Sequence, residues 1–216
     1  MTTNPPPRPF DAVLCDIDNV IRHYDPAPLA ALERAAGLAE GTTARIAFAP
    51  EVDQPLLLGA ITPREWAASI TVEFARQGVL DEAAARPLAA ALVGSPFAAD
   101  QAVVGLLRRI RAEAGLPLVL VSNASVDLED DLTALGLADL ADHVVSSARV
   151  GLAKPDPRIY AVAVDLAGVA AERCLFVDDT RENVDAALAL GMSALHYREP
   201  GGLHAVLEPV FCGPPR

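Results

Sequence analysis

Two patterns of apolar residues alternate along the chain. Short continuous apolar runs predict strands buried in a parallel sheet, and longer segments with apolar residues three or four positions apart predict helices packed on it. Strands are predicted at residues 12–16, 118–121, 143–147, 174–177 and 193–197, and helices at residues 98–114, at residues 128–135 and after the capping residues Asp156 and Thr180. The last two helices are expected to turn Leu166 and Leu188 inward. This alternation predicts an α/β fold with a doubly wound, mostly parallel sheet.

The alternation is interrupted over residues 22–96, where no strand is predicted. Thr62-Pro63-Arg64-Glu65 has the pattern of a capping box with proline in the first turn of a helix. That helix carries Trp66 and further apolar residues at four-residue spacing, so we expect Trp66 to be part of a local core. We therefore predict an inserted α-helical subdomain at residues 22–96, with the α/β core formed by residues 1–21 and 97–216.

The composition narrows the classes of partner and compartment. Hydrophobic residues make up 52% of the 216 residues, which is enough for a sizeable core. The net charge of -12, with no basic stretch to balance it, argues against nucleic acid as a partner. No apolar run is long enough for a membrane span, so no membrane partner is expected. The three cysteines, Cys15, Cys174 and Cys212, lack metal-ligand spacing, which indicates a reducing, cytoplasmic compartment, with Cys15 and Cys174 as unbridged core residues.

Pairs of acidic residues follow two of the predicted strands. Asp16 and Asp18 follow the first strand, and Asp178 and Asp179 follow the strand predicted at residues 174–177. Carboxylates that converge at strand ends repel one another unless a cation lies between them. Oxygen ligands of this kind suit a hard divalent cation such as Mg2+.

Three further polar residues are expected at the same edge of the sheet. Lys154 is the only lysine among 17 basic residues and precedes the helix that Asp156 caps. Ser122 and Asn123 directly follow a predicted strand. In doubly wound sheets, ligands bind at the carboxyl ends of the strands, so these residues are candidates for a binding site.

These segments resemble, in order, the four motifs of the haloacid dehalogenase-like hydrolase superfamily. The motifs are Asp16-Ile17-Asp18-Asn19-Val20, Ser122-Asn123, Lys154-Pro155-Asp156, and Asp178-Asp179 with Asn183. The resemblance extends over about residues 10–197 and includes the subgroup whose helical cap is inserted after the first strand. Two positions depart from the usual pattern: Asn19 replaces a glycine, and Asn183 replaces an acid.

The resemblance implies a mechanism for phosphoryl transfer. Asp16 would attack phosphorus and form an aspartyl phosphate, and Asp18 would act as general acid and then as general base. Ser122 and Asn123 would bind the phosphoryl oxygens, and Lys154 would offset their charge. The expected activity is a Mg2+-dependent phosphohydrolase acting on a small phosphorylated metabolite.

The resemblance also implies the metal ligands. These would be the carboxylates of Asp16 and Asp179 and the backbone carbonyl of Asp18, with Asp178 acting through a water molecule. Asn183 would help to hold that water. On the substrate side, the candidates are Asn19 and, reaching from the cap, Arg22, His23 and Arg45.

Other classes of protein share parts of this pattern. A haloacid dehalogenase uses an aspartate nucleophile without a metal but typically lacks an acid two residues further on, so Asp18 argues against it. A phosphomutase shares all four motifs and differs in the cap. A signalling receiver domain carries its phosphoacceptor aspartate after the third strand, where this chain has Ser146-Ser147. The substrate and the oligomeric state are not specified by these motifs.

Overall fold

The structure is a computed structural model and describes residues 8–211. In chain order its helices and strands are β1 (Ala12–Cys15), β2 (Arg22–Tyr24), α1 (Ala27–Ala35), α2 (Thr42–Ala47), α3 (Pro50–Leu57), α4 (Pro63–Arg76), α5 (Glu82–Val93), β3 (Phe97–Ala99), α6 (Gln101–Arg109), β4 (Leu118–Ser122), α7 (Leu128–Ala134), β5 (His143–Ser146), α8 (Ser147–Val150), α9 (Pro157–Ala167), β6 (Cys174–Asp178), α10 (Arg181–Ala189), β7 (Ser193–His196) and α11 (Pro200–Phe211). A π-helical turn at Ile110–Ala114 extends α6, and a 3-10 turn at Ala171–Arg173 precedes β6.

Five of the strands form a parallel sheet in the order β5-β4-β1-β6-β7. The predicted α/β fold is confirmed. The central strand β1 pairs with β4 on one side and with β6 on the other, so the direction of winding reverses beside it. The carboxyl end of β1 is therefore the position where this class of sheet binds its ligands.

Both faces of the sheet are covered, which explains the continuous apolar runs. Along β1, Val13 and Cys15 pack in one buried cluster, with side chains of α6, α7 and α11. Ala12 and Leu14 pack in a second cluster on the opposite face, with side chains of α9 and α10. Because successive side chains of a strand point to opposite faces, a strand covered on both faces is apolar at every position.

The helices α1–α5 form an insertion between β2 and β3 with its own apolar core. Trp66 is buried in that core, as predicted, beside Ile70 and Phe74. The predicted capping box is present, since the Thr62 amide donates to Glu65 Oε2 at 2.8 Å and the Glu65 amide donates to Thr62 Oγ1 at 3.2 Å. These observations agree with a helical cap inserted after the first strand.

The prediction that residues 22–96 contain no strand was wrong at Arg22–Tyr24. This segment is β2, and it pairs antiparallel with β3, with Arg22 opposite Ala99 and Tyr24 opposite Phe97. A three-residue strand is too short to establish an alternating pattern, and its partner lies far along the chain. The two strands lie where the insertion leaves and rejoins the core, and the domain boundaries at residues 22 and 96 stay a prediction.

Several predicted boundaries and side-chain orientations also differ. The helix expected at residues 98–114 begins at Gln101, because the Asp100 side chain accepts hydrogen bonds from the amides of the first turn. Leu166 and Leu188 were expected to face inward and are 40% and 47% exposed. The neighbouring alanines, Ala167 in α9 and Ala187 in α10, face inward instead. Each leucine is therefore turned about 100° away around the helix.

The cysteines follow the prediction as far as the structure describes them. Cys15 and Cys174 are buried free thiols. In the β1–β6 pairing, Cys174 lies opposite Ala12 and Cys15 lies opposite Val177, so the two sulfurs are at different heights in the sheet. Cys212 lies outside the described residues. Within residues 8–211, no helix is both long enough and apolar enough to span a membrane.

The insertion contacts the core where α3 ends. Gly59 has a φ of +71°, and a Cβ atom there would lie 2.3 Å from the carbonyl oxygen of Ala148 in α8. Only glycine permits this approach without a shift of the backbone. The helical insertion thus rests against the core close to the carboxyl end of β5.

Candidate active site

The carboxyl ends of β1, β4 and β6 bring the predicted motif residues together. Asp16 follows β1 directly, Ser122 ends β4 and Asp178 ends β6. Lys154 joins two of these strands, because its Nζ lies 2.7 Å from Asp16 Oδ1 and 2.7 Å from Asp178 Oδ2. Its side chain is 1% exposed. The only lysine of the chain is therefore a buried cation between two buried carboxylates.

Burial and the charge of the opposite partner shift the pKa values of Asp16 and Lys154 in opposite directions. Burial raises the pKa of Asp16 to about 7; the positive charge of Lys154 opposes this rise, and the negative charge of Asp178 adds to it. Burial alone would lower the pKa of Lys154, but Asp16 and Asp178 raise it above its ordinary value. Lys154 is therefore charged at neutral pH, and a cation bound beside Asp16 would favour the ionised carboxylate.

Asp178 is held by several donors at the end of β6. Its carboxylate accepts hydrogen bonds from Asn183 Nδ2, 3.1 Å from each oxygen, and from the Thr180 amide at 2.8 Å, in addition to Lys154. Asn183, which was expected to hold a metal-bound water, thus contacts Asp178 directly. These donors fix the orientation of a carboxylate that is fully buried.

Asp179 lies beside Asp178 with its carboxylate towards the first motif. Its Oδ2 accepts a hydrogen bond from Asn19 Nδ2 at 3.1 Å. Asn19 has a φ of 60°, a left-handed conformation that asparagine tolerates better than most residues. The asparagine that replaces the usual glycine therefore adopts the required turn and adds a contact to a predicted metal ligand.

Asp16, Asp178 and Asp179 form a candidate metal site. One oxygen from each carboxylate lies within 4.8 Å of the others. Lys154 contacts only Asp16 and Asp178, and Asp179, which is partly exposed, adds a third carboxylate, so acids outnumber the one ammonium group here. Hard oxygen ligands and that excess both fit a divalent cation such as Mg2+. The carboxylate of Asp18 lies outside this set, and the predicted role of its backbone carbonyl stays a prediction.

Asp18 faces Ser122 and Arg22. Ser122 Oγ donates to Asp18 Oδ2 at 3.4 Å, and Arg22 Nε donates to Asp18 Oδ1 at 2.7 Å. Arg22 also donates to Asp131 Oδ2 at 2.8 Å. The guanidinium expected to reach substrate is therefore buried between two acids, and its substrate contact stays a prediction.

The side chain of Asn123 hydrogen-bonds the backbone of Lys154. Its Oδ1 accepts a hydrogen bond from the Lys154 amide at 2.7 Å, and its Nδ2 donates to the Lys154 carbonyl at 2.9 Å. Both ends of the side-chain amide thus hold the backbone of Lys154. The side chain thus positions the lysine, and the predicted contact of Asn123 with the phosphoryl oxygens stays a prediction.

The other two candidates from the cap side are exposed. His23 lies on β2 next to Arg22, and Arg45 lies in the last turn of α2. Their roles in substrate binding stay predictions.

Two residues near the site were missed by the sequence analysis. Asp131, in α7, lies in the acid-rich run Leu128-Glu129-Asp130-Asp131, where nothing in the spacing distinguishes it from its neighbours. His196 ends β7, and its Nε2 lies 2.9 Å from the carbonyl oxygen of Asp179. The position of His196 at the carboxyl end of a predicted strand was the available signal, because all such ends meet at one edge of the sheet.

Comparisons with known proteins show the family. The chain matches the family model of the haloacid dehalogenase-like hydrolases over residues 10–191. A phosphatase of Mycobacterium tuberculosis is 40% identical over 82 residues, which is 37% of this chain and 38% of that protein. For the first three curated relatives, the match spans 38%, 45% and 62% of the relative's own length.

Solved structures share the fold. An enzyme of the same family from Bacteroides thetaiotaomicron, crystallised with magnesium and inorganic phosphate, superposes with a TM-score of 0.64 at 18% identity, covering 88% of this chain and 94% of that one. An L-2-haloacid dehalogenase of Xanthobacter autotrophicus superposes with a TM-score of 0.61 at 24% identity, covering 86% of this chain and 76% of that one. At these identities the superpositions show the shared fold alone.

Proposed function

The chain belongs to the haloacid dehalogenase-like hydrolase family, and we propose that it is a Mg2+-dependent phosphohydrolase that acts on a small phosphorylated metabolite through an aspartyl-phosphate intermediate. The observation that carries the proposal is the convergence of Asp16, Asp178 and Asp179 beside Lys154. An excess of carboxylates over the one lysine suits a reaction in which a metal and a phosphoryl group enter together.

Asp16 is the proposed nucleophile. Two donors, Lys154 Nζ and the Ile17 amide, contact its Oδ1, each at 2.7 Å, so we assign the attack on phosphorus to Oδ2. Mg2+, when bound by Asp16 and Asp179, would align the phosphoryl group and offset its charge. Lys154 would stabilise the negative charge that the phosphoryl oxygens carry in the transition state.

Asp18 is the proposed proton carrier. As Asp16 forms its bond to phosphorus and the bond from phosphorus to the leaving oxygen breaks, Asp18 would give its proton to that oxygen. In the second step Asp18 would take a proton from the water that attacks the aspartyl phosphate, which releases inorganic phosphate and restores Asp16. Its position beside Ser122 supports this role, because Ser122 ends the strand next to β1.

Two activities remain alternatives within the same family. A dehalogenase would use Asp16 as nucleophile, and it would need neither Asp18 as a proton carrier nor a metal between Asp16, Asp178 and Asp179. A phosphomutase would use the same core residues and differ in how the cap holds its substrate. The core geometry supports a phosphoryl substrate for both the phosphohydrolase and the phosphomutase.

A substrate screen tests the proposal. The full chain would be incubated with a panel of phosphorylated metabolites, with and without Mg2+, and release of inorganic phosphate would be measured. We expect Mg2+-dependent hydrolysis of at least one small phosphate ester. Halide release from a 2-haloacid in metal-free protein, without phosphate release, would overturn the proposal in favour of a dehalogenase.

A further inference from the structure

Arg22 places a buried guanidinium group against the carboxylate of Asp18. Its side chain is 5% exposed. Nε donates to Asp18 Oδ1 at 2.7 Å, and Nη2 donates to Asp18 Oδ2 at 3.4 Å. A planar guanidinium that contacts both oxygens restricts rotation of the carboxylate, which a single-point donor such as lysine does not do.

Arg22 is itself held on every side. Nη1 donates to Asp131 Oδ2 at 2.8 Å, and the guanidinium lies 3.7 Å from the centre of the Phe97 ring. Its backbone amide donates to the Ile17 carbonyl at 3.0 Å, and its carbonyl accepts a hydrogen bond from the Asn19 amide at 2.9 Å. The guanidinium is thus fixed to the same turn as Asp18, to helix α7 and to β3.

We propose that Arg22 is a positioning residue that presents Oδ2 of Asp18 to the leaving oxygen of the substrate. Oδ1 accepts the short hydrogen bond from Arg22, whereas Oδ2 receives two contacts of 3.4 Å, from Arg22 and from Ser122. Oδ2 is therefore the oxygen with the longer contacts, and we assign to it the approach to the leaving oxygen. This inference rests on the proposed function, in which Asp18 is the general acid.

Asp131 holds the other side of the guanidinium. Its Oδ2 accepts a hydrogen bond from Arg22 Nη1 at 2.8 Å, and its side chain is 39% exposed, whereas that of Arg22 is buried. Asp131 therefore fixes the orientation in which Arg22 contacts Asp18, and loss of this contact should loosen that orientation.

A series of aryl phosphates separates this role from a structural one. A phenolate with a low pKa leaves without a proton, and one with a high pKa needs the general acid. kcat/KM reports only the steps up to transfer of the phosphoryl group to Asp16, so the later role of Asp18 as base does not enter. We expect Arg22→Met to lower kcat/KM for phenyl phosphate at least about tenfold more than for 2,4-dinitrophenyl phosphate, a part of the roughly 10²–10⁴-fold that general acid catalysis contributes.

Asp131→Asn is the second variant, since it leaves Arg22 in place and alters a side chain that is 39% exposed. We expect Asp131→Asn to show the same preference for good leaving groups, but to a smaller degree. This variant decides the matter if Arg22→Met does not fold.

Arg109→Met is the matched control. Arg109 also pairs with an acid, Glu113, and stacks on a ring, that of Phe211, at 4.3 Å, but on the surface of α6. It should show no dependence on the leaving group.

The outcomes distinguish the positioning role of Arg22 from the proposed phosphohydrolase activity. Equal losses across the series in Arg22→Met and Asp131→Asn, or no loss in either, would overturn the positioning role. Partial recovery of phenyl phosphate hydrolysis in Arg22→Met on addition of guanidinium ions would support it. A wild-type chain inactive on every ester with Mg2+ present would instead overturn the proposed function, and the inference with it.

Discussion

At the residue scale, Asp16 combines burial with close contacts to two donors. It is buried, it receives the amide of the following residue, and it contacts the only lysine of the chain. Its raised pKa follows from burial, and the lysine and the proposed metal are the groups that would favour its ionised form. The neighbours of the proposed nucleophile thus influence its charge.

Replacement of the nucleophile is the most direct test at this scale. We expect Asp16→Asn to lower kcat by at least about 10³-fold, because an amide cannot form the acyl phosphate on which both steps depend. The nearly equal shape of the two side chains should leave the far-UV circular dichroism spectrum unchanged. Asp185→Asn, at an exposed ion pair with Arg181, is the control and should keep full activity. Retention of more than about a tenth of wild-type activity by Asp16→Asn would exclude Asp16 as nucleophile.

At the scale of elements, the helical insertion approaches the core closely through its backbone at the end of α3. The end of α3 meets α8 where Gly59 faces the carbonyl oxygen of Ala148. Side chains of the insertion pack among themselves in a separate core, so this contact, rather than a shared core, sets the distance between the insertion and the core at this point.

Two glycines of the insertion allow the close approach at Gly59 to be tested. Gly59 and Gly78 both have positive φ, +71° and +66°, but a Cβ atom at Gly78 would meet nothing within 4 Å. Gly78→Ala therefore reports backbone strain alone, of about 1–2 kcal/mol. We expect Gly59→Ala to lower the free energy of unfolding by a further 1–3 kcal/mol or so, since a clash with backbone resembles overpacking. Denaturant unfolding measures both, and equal losses would show that the approach at Gly59 is not constrained.

The insertion is also where we expect substrate selectivity to reside. His23 and Arg45 are exposed on β2 and α2, whereas the proposed chemistry depends on the core motifs. We predict that His23→Ala and Arg45→Ala change the ranking of phosphorylated substrates, measured as kcat/KM, more than they change the rate on a small aryl phosphate. A uniform loss on every substrate would place these residues in the chemical step or in the fold.

At the scale of the whole molecule, the parallel sheet collects charges that the chain keeps far apart. Lys154 links Asp16, which follows β1, to Asp178, which ends β6, and those strands are neighbours only in the folded sheet. Folding therefore forms the carboxylate cluster, and a metal bound there stabilises the folded state alone.

This predicts that Mg2+ stabilises the protein in a pH-dependent manner. The pKa of Asp16 rises from 3.8 to about 7 on folding, so between these values the folded state binds more protons than the unfolded state. Without metal, the contribution of Asp16 to the free energy of unfolding therefore falls as pH rises through this window. Mg2+ needs the ionised carboxylates, so the increase in Tm that it causes should be larger near about pH 8 than near about pH 5.5.

Thermal unfolding with and without Mg2+ measures this effect. Asp179→Asn should reduce the Mg2+-induced increase in Tm, because it removes one of the three converging carboxylates. Asp185→Asn, outside the site, should leave the increase unchanged. An increase of equal size at both pH values, or one that Asp179→Asn does not alter, would argue against metal binding at this cluster.

Much of this architecture could be predicted from the amino-acid sequence because its signals are local. A continuous apolar run marks a strand buried on both faces, as in β1 and β6, and Thr62 with Glu65 marks a helix start through contacts only three residues apart. The acids and the lysine could be assigned to one edge of the sheet because parallel strands place their carboxyl ends together. The sequence by itself therefore determined the fold class, the helical insertion and the group of residues at the site.

The partners within the site were decided only by the tertiary structure. Arg22 was predicted only to contact substrate, and the structure shows that it joins Asp18 to Asp131, which lies 109 residues further along the chain than Arg22. Asn123 holds the backbone of Lys154, and Leu166 lies outward where Ala167 takes the inward position. Periodicity reports how a segment presents its own faces, whereas a hydrogen-bond partner depends on which distant segment packs there and on the distance between them. No pattern along the chain contains that distance, because it is set by the packing of all the elements together.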